Sequence, residues 1–388
     1  MSADGVEAGF AFETVGSIAE ISPTEWNRLA AGKAASGNPF IQHAFLAALE
    51  RSGSVGPGTG WTPRHIVLRS NGRIVAAAPA YLKEHSFGEY VFDHGWAEAY
   101  ARAGGRYYPK LLCAVPFTPV TGPRLLAENE AGRKLLANAL VAAATRARLS
   151  SAHVTFHQSE PEQLAESFLE RTGLQYHWLN KGYQSYDDFL GALSSRKRKA
   201  LRRERRDAAQ GLTFRRLSGA EIKERHWDVF WRFYQDTGSR KWGRPYLKRT
   251  FFSLIGETAP ESILMILAED AGRPVAGALN FIGDDALFGR YWGRTEERPF
   301  LHFEVCYHQA IDFAIERRLG RVEAGAQGDH KLARGYEPVL TRSSHWIADP
   351  GFREAVARFL NAERRQIEAE LAAIADESPF RRDGPPPD

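Results

Sequence analysis

Two stretches of this 388-residue chain, offset by 200 positions, carry the same pattern, and a chain that repeats itself is constrained to fold as repeated units. Ile66–Leu82 reads IVLRSNGRIVAAAPAYL and Ile266–Ile282 reads ILAEDAGRPVAGALNFI, with Ile66/Ile266, Gly72/Gly272, Arg73/Arg273, Val75/Val275, Ala76/Ala276 and Ala78/Ala278 matched. An apolar run, a short glycine-containing turn and a second apolar run predict a β-hairpin in each half. The residues beyond each hairpin repeat as well. Ala286–Trp292 predicts a strand, Phe303–Arg318 a helix and Val322–Gln327 a strand; in the first half Gly132–Arg148 predicts the helix and His153–Gln158 the strand. Leu149 falls opposite Leu319 at an offset of 170, so the first copy holds an insertion, placed in the aromatic-rich Phe92–Tyr108. The expectation is an α/β fold with mixed sheets in two tandem domains, over 10–180 and 181–375. The Pro/Gly-rich tail over 376–388 and the loop Ser52–Gly60 are expected to be disordered.

Apolar residues at 43% and charged residues at 25% are globular values and exclude a disordered or fibrous chain. No run of about 18 uncharged apolar residues exists, so no membrane span is expected. The start MSADGVEAGF lacks the basic-then-apolar order of a secretion leader, and Cys113 and Cys306 are too few for a disulfide framework or a four-cysteine zinc site. A cytoplasmic setting is the expectation.

Net charge is +4, yet Arg196, Lys197, Arg198, Lys199, Arg202, Arg203, Arg205 and Arg206 face only Glu204 between positions 196 and 206, so the rest of the chain is net negative. Ser194 and Ser195 stand as N-caps and neither Gly nor Pro occurs before Gly211, which predicts a helix ringed by bases, with Ala200 and Leu201 as its apolar contact. It is either a solvated basic helix or a phosphate-binding surface in which Arg196, Lys197, Arg198, Lys199 and Arg202 meet a nucleotide-linked or nucleic-acid ligand. The aromatic residues of 221–256 (Trp227, Phe230, Trp231, Phe233, Tyr234) recur at intervals of three and four and are read as core.

Polar chemistry concentrates between His302 and Lys331. His302 and Glu304 sit near a helix start, where Glu304 serves equally as a dipole partner or as a site residue. Glu323, Gly325 and Gln327 share one face of a strand by its period of two, and Asp329, His330 and Lys331 crowd the turn beyond it. A polar set on a central strand costs energy unless it meets water or a ligand. Lys331 is the candidate for binding a substrate phosphate or carboxylate or for stabilising an oxyanion, and His330 or Glu323 is the candidate base. Tyr291, Trp292, Arg294, His302, Glu304, Gln327 and Asp329 are the candidates for substrate binding around them. In the first half, Tyr107, Tyr108 and Lys110 belong to an insertion that either stacks on an acceptor or plugs a domain interface. His153 and His157 lie four apart in a strand-like run, spacing that separates them by about 13 Å and speaks against zinc; no metal site is expected. Gly-x-Ser-x-Gly, Walker and Rossmann fingerprints are missing.

The order hairpin, strand, helix, strand resembles the Gcn5-related acyltransferase (GNAT) fold, and tandem copies resemble the Fem-type peptide ligases. Ser194–Gly211, followed by LTFRRL, resembles the Lys/Arg-rich helix that opens the second domain of Fem-like proteins. Phe92–Leu126 and Tyr291–Pro338 resemble the FemAB-like predicted N-acyltransferases, also described as peptidoglycan biosynthesis/recognition proteins, and the likeness covers nearly all of residues 10–380. It implies transfer of an acyl or aminoacyl group to a small-molecule or peptide amine, with acyl-CoA or aminoacyl-tRNA as co-substrate and no permanently bound cofactor. GNAT acetyltransferases hold the coenzyme A pyrophosphate on a glycine-rich turn. Arg294–Phe303 has no glycine there and carries Pro299, and Thr121–Leu126 pairs Gly122 with Pro123, so neither copy matches that loop. The charge at 196–206 suits tRNA. The alternative is a non-catalytic protein on the same fold that binds RNA or a cell-wall precursor.

Overall fold

A computed structural model of the chain describes residues 6–7, 10–31, 37–158, 164, 167–241, 245–325, 329–376 and 378–381. It divides into two compact units, Met1–Gly173 with Leu340–Glu368, and Leu174–Val339 with Ala369–Asp388.

The first unit holds β1 (Val6–Glu7), β2 (Phe10–Val15), α1 (Pro23–Ala30), α2 (His43–Arg51), β3 (Trp61–Pro63), β4 (His65–Ser70), β5 (Arg73–Ala78) and β6 (Ala80–Lys83). Next along the chain come α3 (His94–Arg102), β7 (Lys110–Cys113), β8 (Leu126–Ala127), α4 (Glu130–Arg146) and β9 (Ser151–Thr155). One sheet runs β1-β2-β4-β5-β8; in the other, β3, β6 and β7 pair antiparallel and β7 lies parallel to β9. Leu136, Ala137, Leu140 and Ala144 of α4 pack with Ile66, Leu68, Ala76 and Ala78 to form the core.

β10 (Leu169–Leu179) has residues in both units. The second unit continues with α5 (Tyr186–Ala192), α6 (Ser195–Ala208), β11 (Thr213–Ser218), α7 (Glu224–Lys241), α8 (Arg249–Thr258), β12 (Ile263–Asp270), β13 (Arg273–Ile282) and β14 (Ala286–Arg294). After them come α9 (Leu301–Phe303), a π-helical turn Glu304–His308, α10 (Gln309–Glu316), β15 (Arg321–Glu323) and a 3₁₀ helix Asp329–Arg334. Its strands run β11-β12-β13-β14 antiparallel, β14 parallel to β15, and β15 antiparallel to β10. α10 buries Ala310, Ile311 and Ala314 against one face, and Trp227, Phe230 and Phe233 of α7 are buried as the aromatic periodicity predicts.

The duplication is visible in the backbone. Ser70 pairs with Arg73 and Asp270 with Arg273 across turns whose central residues are left-handed: Asn71 and Gly72 at φ 50° and 79°, Ala271 and Gly272 at 49° and 79°. Positive φ at both central positions is the type I′ turn that matches strand twist. Each hairpin then skips one residue at the same place, Val75 and Val275, a β-bulge repeated in register. Arg148 and Arg318 both end their helices at left-handed φ, 52° and 56°. The expected α/β class with mixed sheets in two GNAT-like units is what the chain adopts.

Four expectations need correction. The split at 180/181 is not the division by contacts: β16 (Tyr336–Ile347) and α11 (Pro350–Asp376) carry Leu340–Glu368 to the first unit, where Ser343–Ile347 pairs with β9. No local pattern marks that return. Ser52–Gly60 is ordered: Ser52, Ser54 and Val55 are buried, and Thr59 bonds to Gly56 and Trp61. Of the tail, 378–381 is ordered, with Ser194 N donating to Pro379 O at 3.0 Å and Phe380 packed on the second core; 377 and 382–388 lie outside the described residues. The basic helix forms as α6, but it docks through Leu201, Glu204 and Ala208, while Ala200 is exposed.

Candidate active site

The β13–β14 ladder runs Asn280↔Gly289 and then Leu279↔Tyr291, leaving Arg290 as an extra residue in β14. Such a bulge bends a strand and re-aims its side chains. The parallel ladder to β15 covers only Ala286–Phe288. Where β14 leaves that ladder lies a cleft of about 90 Å³, lined by the sequence candidates Tyr291, Trp292 and His302. Asn280, Gly289, Arg290, Cys306 and Tyr307 complete most of its wall. The π-helical turn widens the helix where Cys306 and Tyr307 emerge, a feature frequent at functional sites.

His302 contacts the Trp292 ring at 4.5 Å, and Tyr307 Oη lies 2.8 Å from Nε2 of His330. Burial pushes the Tyr307 phenol up, so it remains protonated and can donate to that nitrogen. Lys331 is 1% exposed and its Nζ donates to Gly325 O at 2.6 Å. Burial, reinforced by the charge of Arg290, pulls the Lys331 ammonium down to about 7. Glu323 accepts from Arg321 Nε at 2.9 Å and stands 3.7 Å from His177 Nε2. Burial lowers the His177 pKa against the pull of Glu323, with the charges of Arg321 and Lys331 acting in the same direction as burial. His302 and His330 are therefore joined to the cleft wall, and Lys331 and Glu323 meet electrostatically around His177.

Other candidates sit elsewhere. Glu304 is buried beneath Arg205 (3.2 Å) and accepts from Gln309 Nε2 at 2.7 Å, tying the π-turn to α6 instead of entering the cleft. Arg294 pairs with Glu297 at 3.1 Å. Gln327 and the Asp329 side chain lie outside the described residues. Tyr107, Tyr108 and Lys110 belong to the first unit. There the fully buried Lys110 Nζ donates to Ser86 (2.9 Å), Glu89 (2.8 Å) and Asp93 (2.5 Å). Tyr107 donates to Asp93 at 2.7 Å and Tyr108 bonds Ser86 at 2.7 Å. His153 Nδ1 sits 2.7 Å from His345 Nδ1, and His157 Nε2 sits 2.8 Å from Ser344 Oγ.

On α6, Arg196, Lys197, Arg198 and Lys199 form no ion pair among the described residues, and Arg202 holds exposed Asp187 at 2.9 Å. Glu204, the acid of that basic run, is the anchor: it accepts from Arg334 Nη2 (2.6 Å) and Nε (2.9 Å) and from His308 Nε2 (2.8 Å). Burial would raise its carboxyl, but those hydrogen bonds outweigh it and hold it below the usual range. Arg334 in turn donates to His330 O at 2.6 Å. Sequence reasoning passed over Glu204, Asn280 and Tyr307. Asn280 was findable as the polar residue in the apolar run VAGALNFI; the Arg290 bulge left no signal.

Among solved structures the chain is similar to FemX, at 12% identity, 89% of this chain, 100% of that one and a TM-score of 0.52. It is also similar to L-PGS from Bacillus licheniformis (11%, 90% and 99%, TM-score 0.52). A third is the C-terminal domain of a putative lysylphosphatidylglycerol synthetase from Agrobacterium fabrum (12%, 89% and 97%, TM-score 0.51). At such identities these likenesses carry the fold alone. No curated protein matches the chain. Among the described residues no helix is long and apolar enough to cross a membrane. The model of the FemAB-like family, described as peptidoglycan biosynthesis/recognition, matches residues 17–382, and over that span the chain belongs to this family.

Proposed function

We propose that this FemAB-like protein is an N-acyltransferase that moves an acyl or aminoacyl group from an activated, phosphate-bearing donor, aminoacyl-tRNA or acyl-CoA, to an amine acceptor at the cleft beside β14. The observation that carries the reading is Lys331: a buried lysine whose one partner among the described residues is a carbonyl, brought to about 7, next to His330, which bonds the cleft-wall Tyr307. His330 or Glu323 takes a proton from the acceptor ammonium. The freed amine attacks the donor carbonyl, the C–N bond forms, and the oxyanion is met by the Lys331 ammonium. Collapse breaks the bond to the donor's sulfur or ribose oxygen, which leaves with a proton. The bases of α6 supply charge-assisted contacts to donor phosphates. The family's description supports the class. The test is a side-by-side screen of acyl-CoAs and charged tRNAs for transfer, with Lys331→Ala and Glu323→Gln as controls. Transfer lowered by Lys331→Ala is expected; transfer from neither donor sinks the reading.

A further inference from the structure

Asn280 is the polar residue of an otherwise apolar stretch of β13 and is 0% exposed. Its Nδ2 donates to Leu264 O at 3.3 Å. Because a carbonyl can only accept, that bond settles which end of the amide is which. The other end, Oδ1, is buried without a hydrogen-bond partner among the described residues. Its direction is marked by the neighbouring strand: a Cβ built on Gly289 would stand 3.3 Å from Asn280 Oδ1, 3.5 Å from Glu323 O and 3.6 Å from Ala324 Cα. Gly289 and Asn280 line the same cleft, and a side chain at Gly289 would close on Oδ1. An orphaned buried acceptor costs stability that a leucine would not, and a polar group kept at such a cost points to a partner that arrives later.

We infer that Asn280 Oδ1 is the specificity-determining acceptor of the cleft and that it takes a neutral N–H group, the amine or primary-amide end of a ligand. The size fits a small polar end group: the cleft holds about 90 Å³ and opens at its mouth. Charge fits a neutral nitrogen, because the Arg290 guanidinium, 5.5 Å from the Tyr291 ring, lines the same wall and repels an ammonium. Two sources share this chemistry under the transferase reading on which the assignment of substrate rests: the acceptor's amine and the α-amine of an aminoacyl donor. The acceptor's amine must be neutral to attack, and the α-amine of an aminoacyl donor is partly neutral near its ordinary pKa of about 8.

The experiment is ligand-observed NMR titration of the full chain with acetamide and acetone, which have the same shape and carbonyl and differ in whether the end group carries N–H. Acetamide should bind roughly tenfold more tightly, the factor of one ordinary hydrogen bond. Asn280→Leu should erase that preference while leaving the melting temperature equal or higher. Gly289→Ala, whose methyl fills the space beneath Oδ1, should abolish binding of both probes. Glycine methyl ester and n-butylamine, at a pH where each is partly neutral, then separate the two sources by which one competes with acetamide. Equal binding of acetamide and acetone, no binding of either, or a preference that survives Asn280→Leu overturns the inference. None of these readouts uses turnover, so absence of transfer with the preference intact removes the transferase reading alone.

Discussion

Among the candidate residues each unit buries a lysine, Lys110 in the first and Lys331 in the second, and the two are opposites. Burial lowers both, as the loss of water around an ammonium must. At Lys110 the charges of Asp93 and Glu89 then reverse that effect and leave the pKa raised, whereas at Lys331 the partner is a carbonyl and the neighbouring charge, Arg290, pushes further down to about 7. Lys110 is thus a locked cation, whereas Lys331, like Lys83 beside the Lys110 cluster, is poised between its two states. What separates them is the company that the fold brings, since YYPK and GDHK say nothing of it.

The comparison breaks most visibly at Lys110. Lys110→Met leaves Asp93 buried without its cation and Glu89 with only Lys83 at 3.9 Å, and should cost about 3–5 kcal/mol, read by denaturant unfolding. A cost near zero would show that the cluster is not a lock. Glu204→Gln comes next, because it removes a charge bonded by Arg334 and His308; a loss of about 2 kcal/mol at pH 7 is expected. Glu204's folded pKa is depressed, so its stabilisation is present above the unfolded value near 4.3 and fades as pH falls through the lower folded value; wild type and variant should converge in acid.

Lys331→Met should behave in the contrary sense to Lys110→Met. A lysine lowered to about 7 penalises the folded state fully below that pH, and the penalty shrinks as pH rises toward the unfolded value of about 10.4. The variant should therefore melt higher than the parent at pH 6, with the gain declining above pH 7, while transfer falls. A variant less stable at pH 6 would place Lys331 with Lys110. The smallest stability effect belongs to Arg198→Ala with Arg202→Ala: about 0.5 kcal/mol or less, since both are surface bases. If α6 meets tRNA, though, binding weakens and the slope of log affinity against log salt drops by roughly 0.7 for each lost phosphate contact. An unchanged slope would leave α6 a solvated helix.

Much of the fold was readable because its determinants are local. Gly72 and Gly272 permit the left-handed turns, the apolar runs around them set strands, and an absence of Gly and Pro with periodic aromatics set α6 and α7. What failed was whatever depends on distant partners. Ser52–Gly60 looks like a linker in composition yet is fixed by Thr59 bonding across it, and Phe380 is held by pairing with Leu193. Of the sequence candidates, Tyr291 and Trp292 on a strand and His302 near a helix start line the cleft, while Glu304 was ambiguous between cap and site and proved to be an ion pair with Arg205.

By itself the amino-acid sequence determined a duplicated α/β chain with a basic helix and a polar turn in its second copy, because turns, periodicity and charge density are properties of neighbours along the chain. Only the tertiary structure decided that β16 returns to the first unit, that Glu204 anchors the basic helix, and that a bulge at Arg290 opens a cleft over Asn280. These depend on register and burial, and the free energy of a polar group is set by what surrounds it in space.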